Sequence, residues 1–238
     1  MSVFQHSKRL VAGVVACIVA LGALCRCMAT RGELWLDEAW SVVQVSSISS
    51  PIQILTTLRH DNNHPLNSLW IFLCGVDAPG WLLRAPAVLF GIATLLLIAR
   101  YAPALVGNAV AGVWLVLCAV SYPLTLYSSE ARGYSLMVLC ATSAFLILAS
   151  RVTHRAASST DTRSAAVFAV IASIGCLAHG TFALFIAAAF VWLGYLYMKR
   201  SSDASAQITW SWLRMAVGPV LIVGALLTLV FYGRLEIG

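Results

Sequence analysis

The residues of this 238-residue chain that could do chemistry lie in a few short polar stretches between apolar runs. The first is Leu34-Trp35-Leu36-Asp37-Glu38-Ala39-Trp40. Adjacent carboxylates flanked by tryptophans suit a general base at a membrane surface. Indole rings settle at headgroup depth, and a partly desolvated carboxylate takes up a proton more readily. The plainer reading makes Asp37 the N-cap of a helix through Ala39–Val45; the two tasks are compatible.

The second stretch is His60-Asp61-Asn62-Asn63-His64-Pro65-Leu66. Pro65 biases His64 away from helix and suits the first turn of a following one. His60, Asp61 and His64 could ligate a divalent metal or hold phosphate, although a polar loop is the commoner origin of such a cluster. The third is Tyr127-Ser128-Ser129-Glu130-Ala131-Arg132-Gly133-Tyr134. Charges this close to an apolar span are costly and usually functional. On a helix Glu130 and Arg132 would diverge, whereas an extended segment would put both on one face. An ordinary turn would more typically use Gly, Asn or Asp. His179 ends an apolar run and reads equally as an interfacial side chain.

The elements that position these residues follow from composition. With 61% hydrophobic and 10% charged residues and a mean hydropathy of +0.88, the chain departs from the roughly 45–50% apolar and 25% charged of soluble domains. Disorder, collagen, coiled coil and a small disulfide-stapled fold are excluded. The net charge of +6 comes from basic residues set singly or in pairs beside apolar runs, where they orient a membrane protein; no nucleic-acid partner is expected. The seven cysteines form no CxxC, Cys25 and Cys27 are too close for a normal disulfide, and no redox role follows.

A membrane-crossing helix needs about 20 mainly apolar residues. The expected spans are Leu10–Met28, Trp81–Ala99, Ala104–Leu124, Gly133–Ser150, Ser164–Ala178, Gly180–Met198 and Met215–Tyr232, the first uncleaved. Leu66–Val76, at 11 residues, is too short to cross and is expected to lie flat. That placement puts nine basic residues, among them Lys8, Arg9, Arg100 and Arg151, on the starting side with only Asp161 and Asp203, as the positive-inside rule asks. Arg26, Arg31, Arg59, Arg84 and Arg132 fall on the other side. The expectation is one all-α polytopic bundle over residues 1–238, with about seven spans in the plasma (inner) membrane and a cytoplasmic N-terminus. Its long external loop, 30–80, carries interfacial helices, and a second external loop covers 127–133.

The arrangement resembles the membrane-integral GT-C glycosyltransferases, in particular the bacterial branch similar to the protein mannosyltransferase and aminoarabinose transferase families. The matching residues are Leu36-Asp37-Glu38-Ala39 after the first span, His64-Pro65-Leu66 opening a flat helix, Leu83-Arg84-Ala85-Pro86, and the Tyr127–Tyr134 stretch, which is like the family's YSxEARxY element. The four motifs come in family order over residues 30–135. The resemblance implies a polyprenyl-phosphate sugar donor and a glycan, lipid or protein acceptor on the external face. It implies Asp37 as general base accompanied by Glu38, Glu130 as a second catalytic carboxylate, and Arg132 offsetting charge on the departing phosphate. His64, Tyr134 and His179 would support substrate binding. The resemblance fixes no cofactor, and a divalent metal is admitted. A single displacement would invert the anomeric centre. Family members are commonly much longer, so the chain is expected to correspond to the shared catalytic half.

Two other classes compete. A lipid-carrier flippase or transporter would place ionisable residues near the midplane of its spans, and spans two to seven are nearly bare of them. A non-catalytic subunit would not need Asp37, Glu38, Glu130 and Arg132 on one face.

Overall fold

The computed structural model describes residues 3–60, 62–153 and 162–199 and the single positions 217, 218, 220 and 224. Among the described residues every regular element is an α-helix: α1 (Val3–Ala29), α2 (Leu36–Ser46), α3 (Gln53–Thr56), α4 (Pro65–Cys74), α5 (Gly80–Val120), α6 (Tyr122–Tyr127), α7 (Tyr134–Thr153), α8 (Thr162–Ala178) and α9 (Phe182–Lys199). Three are long and apolar enough to cross a membrane: Arg9–Ala29 of α1, α5 and α7. Pro65–Cys74, Thr162–Ala178 and Phe182–Leu196 are shorter apolar helices. Met215–Tyr232 falls almost wholly outside the described residues.

Helix α5 joins two expected spans and moves the break between them. The expected connection, Arg100–Pro103, is helical. The turn comes at Gly107, whose φ of +81° is a conformation that glycine adopts without the steric cost a Cβ brings. Leu95, Ile98 and Ala102 before the turn pack with Ala111, Leu115 and Ala119 after it, and Val15, Ile18 and Val19 of α1 close the cluster. The two arms therefore lie side by side.

Arg26 of α1 serves this junction, although the sequence pattern counted it among the external-side charges. It is only 2% exposed. Its guanidinium donates to the carbonyls of Gly22 (2.9 Å), Ala119 (3.3 Å) and Cys118 (3.1 Å). It caps the C-terminal end of the second α5 arm, where unpaired carbonyls and the helix dipole favour a cation.

Helices α7, α8 and α9 share a second core of Cys140, Ala144, Leu148, Phe168, Ala172, Phe182 and Leu193. A third core gathers Val45 of α2, Ile54 of α3, Ile71 of α4, Leu83 of α5 and Ala131 of the turn before α7. The segment between α1 and α5 is thus a packed layer fastened to one end of α5 and α7. Outward apolar side chains such as Leu24, Leu89, Val113, Val170 and Val191 remain exposed, as lipid-facing positions would.

Candidate active site

The site starts at the N-terminus of α2. Trp35 is the N-cap, with extended backbone, so Asp37 lies inside the first turn and does not cap it. Glu38 takes over that function: Oε2 accepts the Trp35 backbone N–H at 2.8 Å, satisfying an otherwise unpaired donor. The same carboxylate is fully buried and receives Arg84 in a fork, Nε to Oε1 at 2.8 Å and Nη2 to Oε2 at 2.6 Å. Oε1 also accepts the backbone N–H of Ala131 at 2.6 Å. Both oxygens of Glu38 are therefore fully engaged. Burial alone would push its carboxyl up, but the bonds from Arg84, Ala131 and Trp35 outweigh that and hold it below the usual range. Arg84 spends its remaining donors on the carbonyls of Thr30, Gly32 and Glu33, tying the end of α1 to the start of α5.

Ala131 is held from both sides, because its carbonyl accepts Asn67 Nδ2 at 2.6 Å. The chain folds tightly there, with Arg132 N–H on the Glu130 carbonyl at 2.8 Å; the segment turns and is not extended. Burying Ala131 leaves Glu130 and Arg132 flanking it.

Arg132 then meets Asp37, Nη1 to Oδ2 at 2.8 Å, and the Asp37 side chain keeps 41% of its surface exposed. Arg132 Nη2 donates to Asn62 Oδ1 at 2.7 Å. Asn62 is itself fixed, since its Nδ2 donates to the Asp37 carbonyl at 2.7 Å and to Ser41 Oγ at 3.3 Å. The guanidinium lies over the Tyr134 ring, 4.7 Å from its centroid, while its Nε is buried without a hydrogen-bond partner. The Glu130 carboxylate accepts no hydrogen bond among the described residues. Burial raises its pKa; Arg132 opposes that, and Glu38 and Asp37 add to it.

Behind Arg132 stands a cluster of rings. Tyr127 stacks on Tyr134 at 4.6 Å, Tyr134 meets His179 at 4.3 Å, and His179 stacks on His64 at 4.6 Å. His64 is the extended N-cap of α4, with Pro65 opening the helix. His179 follows α8, and Thr181 packs its hydroxyl on His179 Nδ1 at 2.8 Å. Burial, then His179 and Arg132, hold His64 well below the ordinary imidazole range. Burial and Arg132 push His179 down to about 4. Both imidazoles are neutral at neutral pH.

Asp37, Glu38, Glu130, Arg132, His64, Tyr134 and His179 thus occupy one end of the bundle, held by α2, α4, the turn before α7 and the end of α8. His60 stacks on Trp40 at 5.8 Å, and Asp61 lies outside the described residues. Among the described residues no group of three His, Cys, Asp or Glu side chains is placed to hold a metal ion.

Sequence reasoning gave no role to Arg84 or Asn62. Arg84 carried a usable signal, since an arginine inside an apolar run must find a counter-charge. Asn62 carried none beyond its turn-forming type. Compared with protein-family models, curated proteins and solved structures, the chain matches none.

Proposed function

We propose that the chain is a polytopic membrane glycosyltransferase that moves a sugar from a polyprenyl-phosphate donor to an acceptor hydroxyl on the external face. The observation that carries this reading is the Asp37–Arg132 pair: a half-exposed carboxylate and an arginine from distant loops, at 2.8 Å, beside a second carboxylate, Glu130. In this reading the membrane is crossed by α1, both arms of α5, α7, α8, α9 and the expected span Met215–Tyr232, which lies almost wholly outside the described residues. Helix α8, with 17 residues, is about 25 Å long at 1.5 Å per residue, within reach of a slightly thinned bilayer.

The chemistry runs as a single displacement. Asp37 accepts the proton of the acceptor hydroxyl as its oxygen attacks the anomeric carbon. The anomeric carbon–phosphate oxygen bond breaks, and the polyprenyl phosphate departs with that electron pair and its negative charge. Arg132 matches phosphate oxygens geometrically. Moving its Nη1 from Asp37 to the donor phosphate frees the carboxylate to act as base, so donor binding arms the site. Glu130, whose carboxyl is raised above its ordinary value by burial, can hold a proton beside the departing phosphate. Glu38, with both oxygens engaged, positions Arg84 and Ala131 and transfers no proton. The half-buried rings of Tyr127, Tyr134 and His179 offer faces for a sugar or an isoprenoid unit.

The test is transfer of radiolabelled sugar from polyprenyl-phosphate donors in membranes carrying the full chain. Wild type should release polyprenyl phosphate and invert the anomeric centre; no transfer above membranes lacking the chain, or a retained configuration, would overturn the reading. Cysteine labelling of an introduced residue within 156–164 should succeed only from the cytoplasmic side.

A further inference from the structure

The guanidinium of Arg26 has one donor that the helix ends do not use. Its Nη groups serve the carbonyls of Gly22, Cys118 and Ala119, but its Nε is buried without a hydrogen-bond partner. A buried N–H left unmet is costly, and more so on a charged group. Arg26 also lies within a candidate span, Arg9–Ala29, where bulk water gives little relief.

This Nε borders a cavity of about 10 Å³ between α1, both arms of α5, α6 and α7. That is about the least volume that admits one water molecule. Gly91 makes the space, since a Cβ there would stand 2.8 Å from Arg26 Nε and collide with Ser128 Oγ. The hydroxyls around the cavity have committed their protons elsewhere. Thr94 Oγ1 donates to the Phe90 carbonyl at 2.9 Å, Ser128 Oγ to that of Leu124 at 2.6 Å and Ser135 Oγ to that of Ala87 at 2.6 Å. Each oxygen keeps acceptor capacity, and the two serine oxygens are 3.5 Å apart, too far for a strong bond to each other.

One N–H donor therefore stands among oxygen acceptors, with no carboxylate bordering the cavity among the described residues. A ligand suited to it accepts from the arginine and donates to the serines. Water does both. A halide would satisfy Arg26 but face the oxygen lone pairs, and it needs more room.

We infer that one water molecule is bound in this cavity, accepting from Arg26 Nε and donating to Ser128 Oγ and Ser135 Oγ. Three bonds are typical of a buried water. Ser128 precedes the turn that carries Glu130 and Arg132, and Ser135 lies in the first turn of α7. The water thus ties α1 to both ends of that turn. The inference does not depend on the sugar-transfer reading.

The experiment is crystallography of the full chain from lipidic mesophase, grown in sodium bromide and at a resolution that shows ordered water. The unaltered chain should show one density peak about 2.7–3.2 Å from Arg26 Nε, without the anomalous signal of bromide. No peak would overturn the inference, and so would a bromide signal, which would make the ligand a halide. R26K keeps the charge but puts a methylene where Nε stands, and it should lose the peak. A peak at full strength in R26K would show that Arg26 does not hold it and would also overturn the inference. G91A, which fills the cavity, should lose the peak as well; should that variant fail to fold, the unaltered chain and R26K decide.

Discussion

Glu38 and Arg84 form a buried forked ion pair, closed at 2.6 Å and 2.8 Å, with side chains 0% and 5% exposed. Around it are ordered the end of α1, the first turn of α2, the start of α5 and the turn carrying Glu130 and Arg132. Asp37, one residue away, faces outward toward Arg132. Two neighbouring carboxylates in one helical turn therefore stand differently: one is buried and holds the scaffold, the other is half-exposed and pairs with Arg132.

That contrast is measurable. E38Q leaves Arg84 buried without its counter-charge and should lower unfolding free energy by about 3–5 kcal/mol. D37N alters a partly solvated pair and should cost no more than about 1 kcal/mol, while removing transfer. Thermal melts in detergent check the first difference. A D37N loss as large as that of E38Q would reverse the assignment.

The approach of the turn to α8 sets a second expectation. A Cβ at Gly133 would stand 1.9 Å from the Ala178 carbonyl oxygen, which is backbone and cannot swing away, whereas one at Gly13 meets nothing within 4 Å. G133A should cost about 1–3 kcal/mol and displace Arg132. G13A should be neutral or stabilising by up to about 1 kcal/mol, from helix propensity.

The neutral imidazoles give a pH dependence. His179 falls from an ordinary 6.5 to about 4 in the fold, and His64 shifts the same way. The unfolded chain therefore binds more protons than the folded one between those values. Stability contributed by these residues is complete above about pH 6.5 and is lost as pH falls toward 4. H179Q should flatten the melting temperature across that window. An unchanged slope in the variant would contradict the stacking of neutral rings.

Asn62 touches no reacting atom in the proposed chemistry, yet it orients Arg132. N62A should lower transfer by about 10–100-fold through misplacement of the guanidinium, mainly as a higher KM for the phosphate donor, and N62D should restore part of it. A variant at wild-type rate would make Asn62 an ordinary turn residue.

Much of the architecture was legible in the sequence because lipid-facing helices need long apolar runs, and those runs are plain from Leu10 to Met28 and from Gly133 to Ser150. Boundaries were less legible. Arg100–Pro103 looked like the connection between two spans, but the chain continues as helix to Gly107, which takes a positive φ. Within the site, the types of Asp37, Glu130 and Arg132 were readable, but their partners were not. Arg26 looked like an external-side charge because charge counting cannot see that carbonyls at the end of α5 lie across from it. Asp37 looked like a helix cap because the sequence does not show that Glu38 reaches back to Trp35. Asn62 was invisible, since a turn-forming amide and one holding two loops together have the same spelling.

The most direct measurement is a double-mutant cycle on sugar transfer with D37N, R132Q and the double variant, taken with polyprenyl-phosphate donor in membranes. If Asp37 and Arg132 act as one device, each single change lowers the rate by about 100-fold or more, and the double variant is scarcely slower than the worse single one. Losses that multiply, or a D37N rate within a few-fold of wild type, would contradict the account.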